Sequence, residues 1–307
     1  MPKIGRKCWA SNMYEPSDAP VQLAKNFDAV PKGKRKGPWL GQIKYDGLFA
    51  YGLCLPGDTR IFSRTGKQFY SLQHIERGLA EVSSMGIKPV VVIFEVYEPG
   101  QSVNIISGRT RRESEQYPEA IGMVHDCIPY EDFIQGVCTL PYRVRLAAGM
   151  HIGNSVPCFR AVESFDVAGE ETALEIAKQL IDSGQEGLVL KQPDGVWLAG
   201  KRNEQLMKIK QELSFDLKVQ GVEPGEGKYA GTLGKLVLRF RRFGKKSGEL
   251  CKLYVSGMTD DQRHEWWNDP DSIIGQVVQV DAMTFSAHGL LREPRYKCIR
   301  FDKKADF

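Results

Sequence analysis

The sequence predicts an α+β chain in two parts, an N-terminal domain of antiparallel sheets and helices followed by a C-terminal OB-fold β-barrel. Three observations predict it. Strand and helix periodicities alternate up to about Leu213; beyond it short strand-like runs with glycine-rich turns dominate; and 307 residues suffice for two compact domains. The expected division is 1–212 and 213–307.

Between Leu40 and Ser63 the chain reads strand, turn, strand, turn, strand. Phe49, Tyr51, Leu53 and Leu55 alternate with smaller residues, and Pro56-Gly57-Asp58 is a turn cluster. Leu72, Ile75, Leu79 and Val82 recur at helical spacing and stop before Gly86. Val90 to Tyr97 is a buried-type strand. A second helix covers about Glu171 to Asp182, with Leu174, Ala177 and Ile181 on one face and Gly184 as its cap. Gly187 to Lys191 reads as the next strand. Five strands then follow at Leu217–Val222, Leu233–Phe240, Leu250–Val255, Val277–Met283 and Tyr296–Phe301, the pattern of a small barrel.

Composition narrows the function. The longest purely apolar run, Val90 to Phe94, is far short of the roughly 20 residues of a membrane helix. The N-terminus is polar and basic, so a cytoplasmic location is expected (that of the host, for a phage-encoded chain) and no membrane partner. Seven scattered cysteines, none in CxxC spacing, argue against a zinc site or a disulfide framework and read as small buried hydrophobes. Net charge is only +4, but cations cluster at Lys32–Lys36, at Arg109, Arg111 and Arg112, and at Arg239, Arg241, Arg242, Lys245 and Lys246. Such clusters can track a phosphate backbone by releasing its counterions. Arg109, Arg111, Arg112, Arg241, Arg242, Lys245 and Lys246 are therefore candidate DNA-binding residues.

The chemistry begins at Ile43-Lys44-Tyr45-Asp46-Gly47. A lysine ending a strand before an Asp-Gly turn can aim its amine across a pocket floored by the sheet. To attack, it must be unprotonated, whereas a free lysine amine titrates at about 10.4, so nearby cations and partial desolvation are required. K-x-D-G alone is a weak signal, and its bland reading is a surface turn. Further features follow in order: Arg64 within Ser63-Arg64-Thr65-Gly66-Lys67, Glu95 on the apolar strand, His125-Asp126 after Ile121–Val124, Glu186 opening Gly187–Lys191, and Lys208-Ile209-Lys210, whose two lysines share one strand face by period two.

This ordered series resembles the covalent nucleotidyltransferase superfamily (ATP-grasp-like in fold), and within it the ATP-dependent DNA ligases of small bacteriophage type. Gly100-Gln101-Ser102-Val103-Asn104 and Leu291-Arg292-Glu293-Pro294 resemble segments of the same enzymes. The resemblance implies that Lys44 forms a lysyl-adenylate, with Asp46 beside it as part of the catalytic motif and Gln42 and Ile43 lining the nucleotide. Arg64 would hold the ribose and later a 5′-phosphate. Glu95 and Glu186 would touch the sugar or ligate Mg²⁺ (or Mn²⁺). Lys208 and Lys210 would neutralise the α-phosphate, and His125 would stack on the base. Arg300, Asp302 and Lys303 match an R-x-D-K motif that orients pyrophosphate from a barrel domain swung over the site. ATP would be the co-substrate, nicked duplex DNA the partner, and the enzyme a monomer.

Four positions depart from the family pattern. Phe49 stands where an arginine is usual. Gln42 replaces a glutamate that accepts from the adenine amino group, though a glutamine carbonyl can still accept. Phe94 replaces a glycine before Glu95, which admits Glu98 as a rival, and His125 replaces a larger aromatic residue. An RNA ligase or an mRNA-capping guanylyltransferase of the same superfamily is the nearest alternative, and a non-catalytic DNA clamp a more distant one. No GxxxxGK[ST], GxSxG or HExxH motif is present.

Overall fold

The structure, a computed structural model, describes residues 14–16, 20–86, 88–211, 213–243, 248–286 and 288–306. The chain divides into two compact units, Met1–Lys210 and Gln211–Phe307.

The first unit opens with β1 (Leu23–Asn26), β2 (Trp39–Lys44), β3 (Leu48–Cys54), β4 (Ile61–Ser63) and α1 (Gln73–Ser84). It continues through β5 (Val90–Tyr97), α2 (Val103–Thr110), β6 (Ile121–Pro129), α3 (Tyr130–Gln135), β7 (Val137–Cys138) and α4 (Tyr142–Ser155). It ends with β8 (Phe159–Ala161), β9 (Ser164–Val167), α5 (Glu170–Asp182), β10 (Gly187–Lys191), β11 (Trp197–Leu198) and β12 (Arg202–Lys210).

Two five-stranded sheets result, ordered β1-β12-β10-β2-β9 and β4-β3-β5-β6-β8. Both are antiparallel except at one edge each, where β1 joins β12 and β8 joins β6 in parallel. Alternation along each strand sorts the side chains. On the first sheet Trp39, Leu188, Leu190 and Met207 turn to α5 and form a core, so Gln42, Lys44, Lys191, Lys208 and Lys210 take the other face. On the second sheet Ala50, Val92, Phe94 and Val124 pack under α1 with Leu72, Ile75, Leu79 and Val82, leaving Phe49 and its partner Glu95 on the opposite face. Phe94, bulkier than the usual glycine, thus serves the core.

The buried side of α5 is a correction. Ala173 and Ala177 are buried, with Ile176 and Leu180 packed beside them, whereas Leu174 is 45% exposed. The apolar stripe lies about one residue away from the expected one, because small alanines, not the larger leucine, allow the helix to sit close on β10. Gly184, at φ +89°, ends the helix as expected.

The second unit is built on β13 (Leu213–Pro224), β14 (Leu233–Arg241), β15 (Leu250–Val255), α6 (Asp260–Asn268), β16 (Val277–Ala282), β17 (Thr284–Phe285), β18 (Leu291–Arg292) and β19 (Arg295–Ile299). Its main sheet runs β15-β14-β13-β16-β19. Among the described residues its edges meet only at a parallel bridge between Ser256 and Arg295, so the barrel is closed at one point and not by a full ladder. Leu217, Leu236, Leu238, Phe240, Val255, Val278 and Val280 fill it.

Candidate active site

Lys44 is the last residue of β2, and its Nζ forms an ion pair with an oxygen of Glu186, the residue before β10. Two glycines permit this approach. A Cβ at Gly187 would collide with the Ile209 carbonyl oxygen, and φ there is +145°, so glycine lets β10 close on β12 beneath Lys44. A Cβ at Gly47 would stand 2.9 Å from the Val96 carbonyl oxygen and 3.1 Å from Glu95 Cβ, so the turn after Lys44 can lie against β5.

That contact joins the two sheets' charged faces. Burial pushes the Glu95 carboxyl up to about 7; Lys44 and Arg64 pull it down, and Glu186 and Asp46 push it further up. The Lys208 amine is lowered first by burial, then by the positive charges of Lys44, Lys210, Arg202 and Arg64. Lys44, Arg64, Glu95, Glu186, Lys208 and Lys210 therefore form one electrostatic cluster.

Arg64, on the turn after β4, lays its guanidinium 5.1 Å from the centre of the Phe49 ring. Phe49 in turn faces His125 at 6.0 Å between centroids. His125 is the extra residue of a β-bulge in β6, between the pairs Ile93–Asp126 and Phe94–Val124. A bulge re-aims side chains, and here it turns His125 to the Phe49 side of the sheet. Burial holds its imidazole well below the usual histidine range, with Lys191 and Arg64 adding to the effect. The ring is neutral at pH 7.

Gln42 is 2% exposed and its amide donates to Ser164 Oγ at 2.9 Å. Ile43 pairs with the core residue Leu188, so its side chain turns away from Lys44 and only its backbone borders the cluster. Asp46 accepts a hydrogen bond from the Val103 N–H at 3.2 Å, which ties the start of α2 to the Lys44 turn.

Most of the other candidates have partners of their own. Glu98 accepts from Tyr117 and from Arg109 at 3.1 Å, turning it from Lys44. Arg109 also bonds to Glu119 at 2.6 Å, Arg112 pairs with Glu115 at 2.8 Å, and Arg111 is exposed. In the second unit Arg300 bonds to Asp302 at 3.1 Å and to Gln279 at 3.0 Å, with Lys303 exposed. Arg241 ends β14, and Arg242 stands 3.5 Å from Glu249. Lys245 and Lys246 lie outside the described residues.

Sequence reading missed two features. Arg202 joins the cationic group, and its signal was available: it shares strand parity with Lys208 and Lys210. The second is a buried cluster of Asp126, Arg145 and Lys191, 5%, 3% and 6% exposed. Arg145 Nε donates to Asp126 at 3.0 Å, and Lys191 Nζ donates to the His125 carbonyl oxygen at 2.8 Å, anchoring the bulge.

Comparisons with known proteins cover both units. Residues 21–210 match the ATP dependent DNA ligase domain family, and residues 224–300 match the DNA ligase OB-like domain. The DNA ligase of Enterobacteria phage T4 is 24% identical over 265 residues, covering 72% of this chain and 54% of that protein. The DNA ligase of Haloferax volcanii is 30% identical over 148 residues, covering 41% of this chain and 25% of that protein. The chain thus spans between a quarter and about half of these relatives' lengths. Among solved structures, Pmar-Lig_PreS3 superposes with a TM-score of 0.78 at 27% identity, covering 93% of this chain and 68% of that one. A Lig E DNA ligase, at 19% identity and a TM-score of 0.68, shares the fold over 91% of this chain and 98% of its own. No helix among the described residues is long and apolar enough to cross a membrane. The chain belongs to the family of ATP dependent DNA ligase domains.

Proposed function

We propose that the chain is an ATP-dependent DNA ligase that seals nicks in duplex DNA. Lys44 Nζ attacks the α-phosphorus of ATP; the N–P bond forms as the bond to the bridging oxygen breaks, and pyrophosphate leaves. AMP then passes to a 5′-phosphate at the nick, and the adjacent 3′-hydroxyl displaces it.

One observation carries this reading: burial first, and then the positive charges of Lys44, Lys210, Arg202 and Arg64, lower the Lys208 amine, so several cations crowd one site. Crowded cations are relieved by a polyanion such as a triphosphate, and fixed cations stabilise charge as it builds on the transferring phosphoryl group. Lys208 and Lys210 are assigned to the α-phosphate, and Arg64 to the ribose and later the 5′-phosphate. His125 is assigned to the base face. Arg300, Asp302 and Lys303 are assigned to pyrophosphate. The Lys44–Glu186 ion pair has to open before the amine can attack.

Glu95 and Glu186 fit a hard cation. The Glu186 charge helps to raise the Glu95 carboxyl, and among the described residues no group of three or more His, Cys, Asp or Glu side chains could hold a metal alone. That donor set suits Mg²⁺, which takes one or two carboxylates and completes its shell with phosphate and water oxygens. When bound, it would neutralise phosphate charge.

The test is incubation with radiolabelled ATP or GTP and Mg²⁺, beside Lys44→Ala. A covalent, acid-labile adduct is expected from the unaltered chain with ATP, and none from the variant. Label retained by Lys44→Ala would remove the nucleophile. Both matched domains belong to DNA ligases, which favours DNA over RNA ligation or capping; sealing of nicked DNA against nicked RNA tests that choice.

A further inference from the structure

We propose that Ser164 and Tyr142 fix the orientation of the Gln42 amide, and that this makes the site select adenine over guanine nucleotides; the inference rests on the adenylating role proposed above. Gln42 would touch the base. Ser164 and Tyr142 are positioning residues.

A glutamine amide carries an acceptor and a donor of nearly equal size, so an unconstrained one serves either purine by turning over. Adenine presents an amino group at its 6-position, and guanine a carbonyl oxygen there. A glutamate at position 42 would accept at both ends and need no orientation. A glutamine does.

The neighbours of Gln42 supply it. Strand pairing sets Gln42 directly opposite Ser164 on β9. Gln42 Nε2 donates to Ser164 Oγ at 2.9 Å, and Oγ directs its own hydrogen to the Val162 carbonyl oxygen at 3.3 Å. The Tyr142 hydroxyl stands beside the same amide and sends its hydrogen to the His125 carbonyl oxygen at 2.9 Å. Both hydroxyls therefore meet the amide with lone pairs, which attract its N–H end. Turning it over would set Oε1 against two oxygens, or strip the Val162 carbonyl of its bond in a position only 3% exposed. Among the described residues nothing donates to Gln42 Oε1. It is the end left for a ligand.

An adenine amino group can donate to that oxygen, whereas a guanine carbonyl would face it lone pair to lone pair. Mismatched polar groups in a desolvated site are strongly rejected, by about tenfold or more.

The test measures initial rates of adduct formation from ATP and from GTP in the full chain. The unaltered protein should favour ATP. Ser164→Ala should let the amide turn and raise the GTP rate relative to ATP by about tenfold, Ser164→Thr should restore the ratio, and Tyr142→Phe should act in the same direction more weakly. In a Gln42→Glu background Ser164→Ala should no longer change the ratio, since a carboxylate cannot present a donor. A gain with GTP is not a result that misfolding produces. An unchanged ratio in Ser164→Ala, or an equal shift in the Gln42→Glu background, overturns the proposal. If Ser164→Ala fails to fold, a Tyr142→Phe ratio equal to the unaltered protein's overturns it as well. Should the unaltered protein form no adduct at all, the adenylating role fails separately, and equilibrium binding of ATP against GTP by the same variants decides the lock.

Discussion

Two charge clusters stand on the same pair of sheets and follow opposite rules. In the first, Asp126, Arg145 and Lys191 are almost sealed from solvent, and each charge is met. Arg145 bonds to Asp126 and to the carbonyl oxygens of Leu140 and Gly195, while Lys191 bonds to the His125 carbonyl oxygen and lies over the Tyr142 ring. In the second, Lys44, Arg64, Glu95, Glu186 and Lys208 are partly open, and like charges add to burial in raising the Glu95 carboxyl and lowering the Lys208 amine. Burial with full pairing makes a fixed anchor. Burial without it leaves a site that a charged ligand completes. Strand β10 belongs to both, with Lys191 at one end and Glu186 just before the other.

The sharpest way to break this contrast is to remove one carboxylate from each cluster. Asp126→Asn keeps the shape but leaves Arg145 and Lys191 buried without a counter-charge, which should cost about 3–5 kcal/mol of stability and be seen in thermal denaturation. Glu186 is 21% exposed, so Glu186→Gln should change stability by less than about 1 kcal/mol. Its adduct formation with ATP should nevertheless fall by about 100-fold. If instead Glu186→Gln melts early and Asp126→Asn does not, the division between anchor and site is wrong.

A smaller effect follows from Glu95. Its ordinary value of 4.5 is raised to about 7 in the folded protein, mainly by burial. Between these values the folded chain keeps a proton that the unfolded chain has released, so this group lowers stability as pH climbs through the window. Glu95→Gln should match the unaltered protein near pH 5 and exceed it above pH 7 by on the order of 1–3 kcal/mol, read from denaturant unfolding. Equal differences at both ends of the range would show that the carboxyl does not titrate there. His125 is held well below the usual histidine range by burial, so it adds a limb of the opposite sign, with stability rising as pH climbs toward 6.5; both proteins carry it, and it cancels in their difference.

Legibility from sequence divides along the same line. β3, β5 and β10 could be read because their residues alternate or run apolar, and Lys44, Glu186 and Lys208 because each lies in a short local motif. α4 could not, since the face it buries interrupts Tyr142, Leu146 and Ile152 with Arg145, Gly149 and Gly153, which blurs the apolar stripe. A Cβ at Gly153 would collide with the backbone of Ala161, so the helix needs small residues where a pattern search expects large ones. Ser164, Tyr142 and Arg145 stayed hidden for a different reason. Each meets its partner across many residues of chain, and no spacing rule joins Gln42 to Ser164 or Asp126 to Arg145. α6 carried a readable start that was overlooked, the capping box of Thr259 and Gln262.

The weakest expected effects separate two arginines that the sequence grouped together. Arg109 lies over the Tyr117 ring at 4.0 Å and bonds to Glu98 and Glu119, so its charge is spent inside the fold. Arg111 is exposed two residues later. If the basic cluster touches a DNA backbone, Arg111→Ala should lower the slope of log affinity against log salt by about 1 and leave stability within about 0.5 kcal/mol. Arg109→Ala should do the reverse, loosening the α2 region and leaving the slope unchanged. Fluorescence anisotropy with a nicked duplex between low and moderate salt reads the first quantity, and thermal denaturation the second. Equal slopes for all three proteins would mean that neither arginine meets phosphate, and the basic patch would then have to be sought on the second unit's β14, at Arg239 and Arg241.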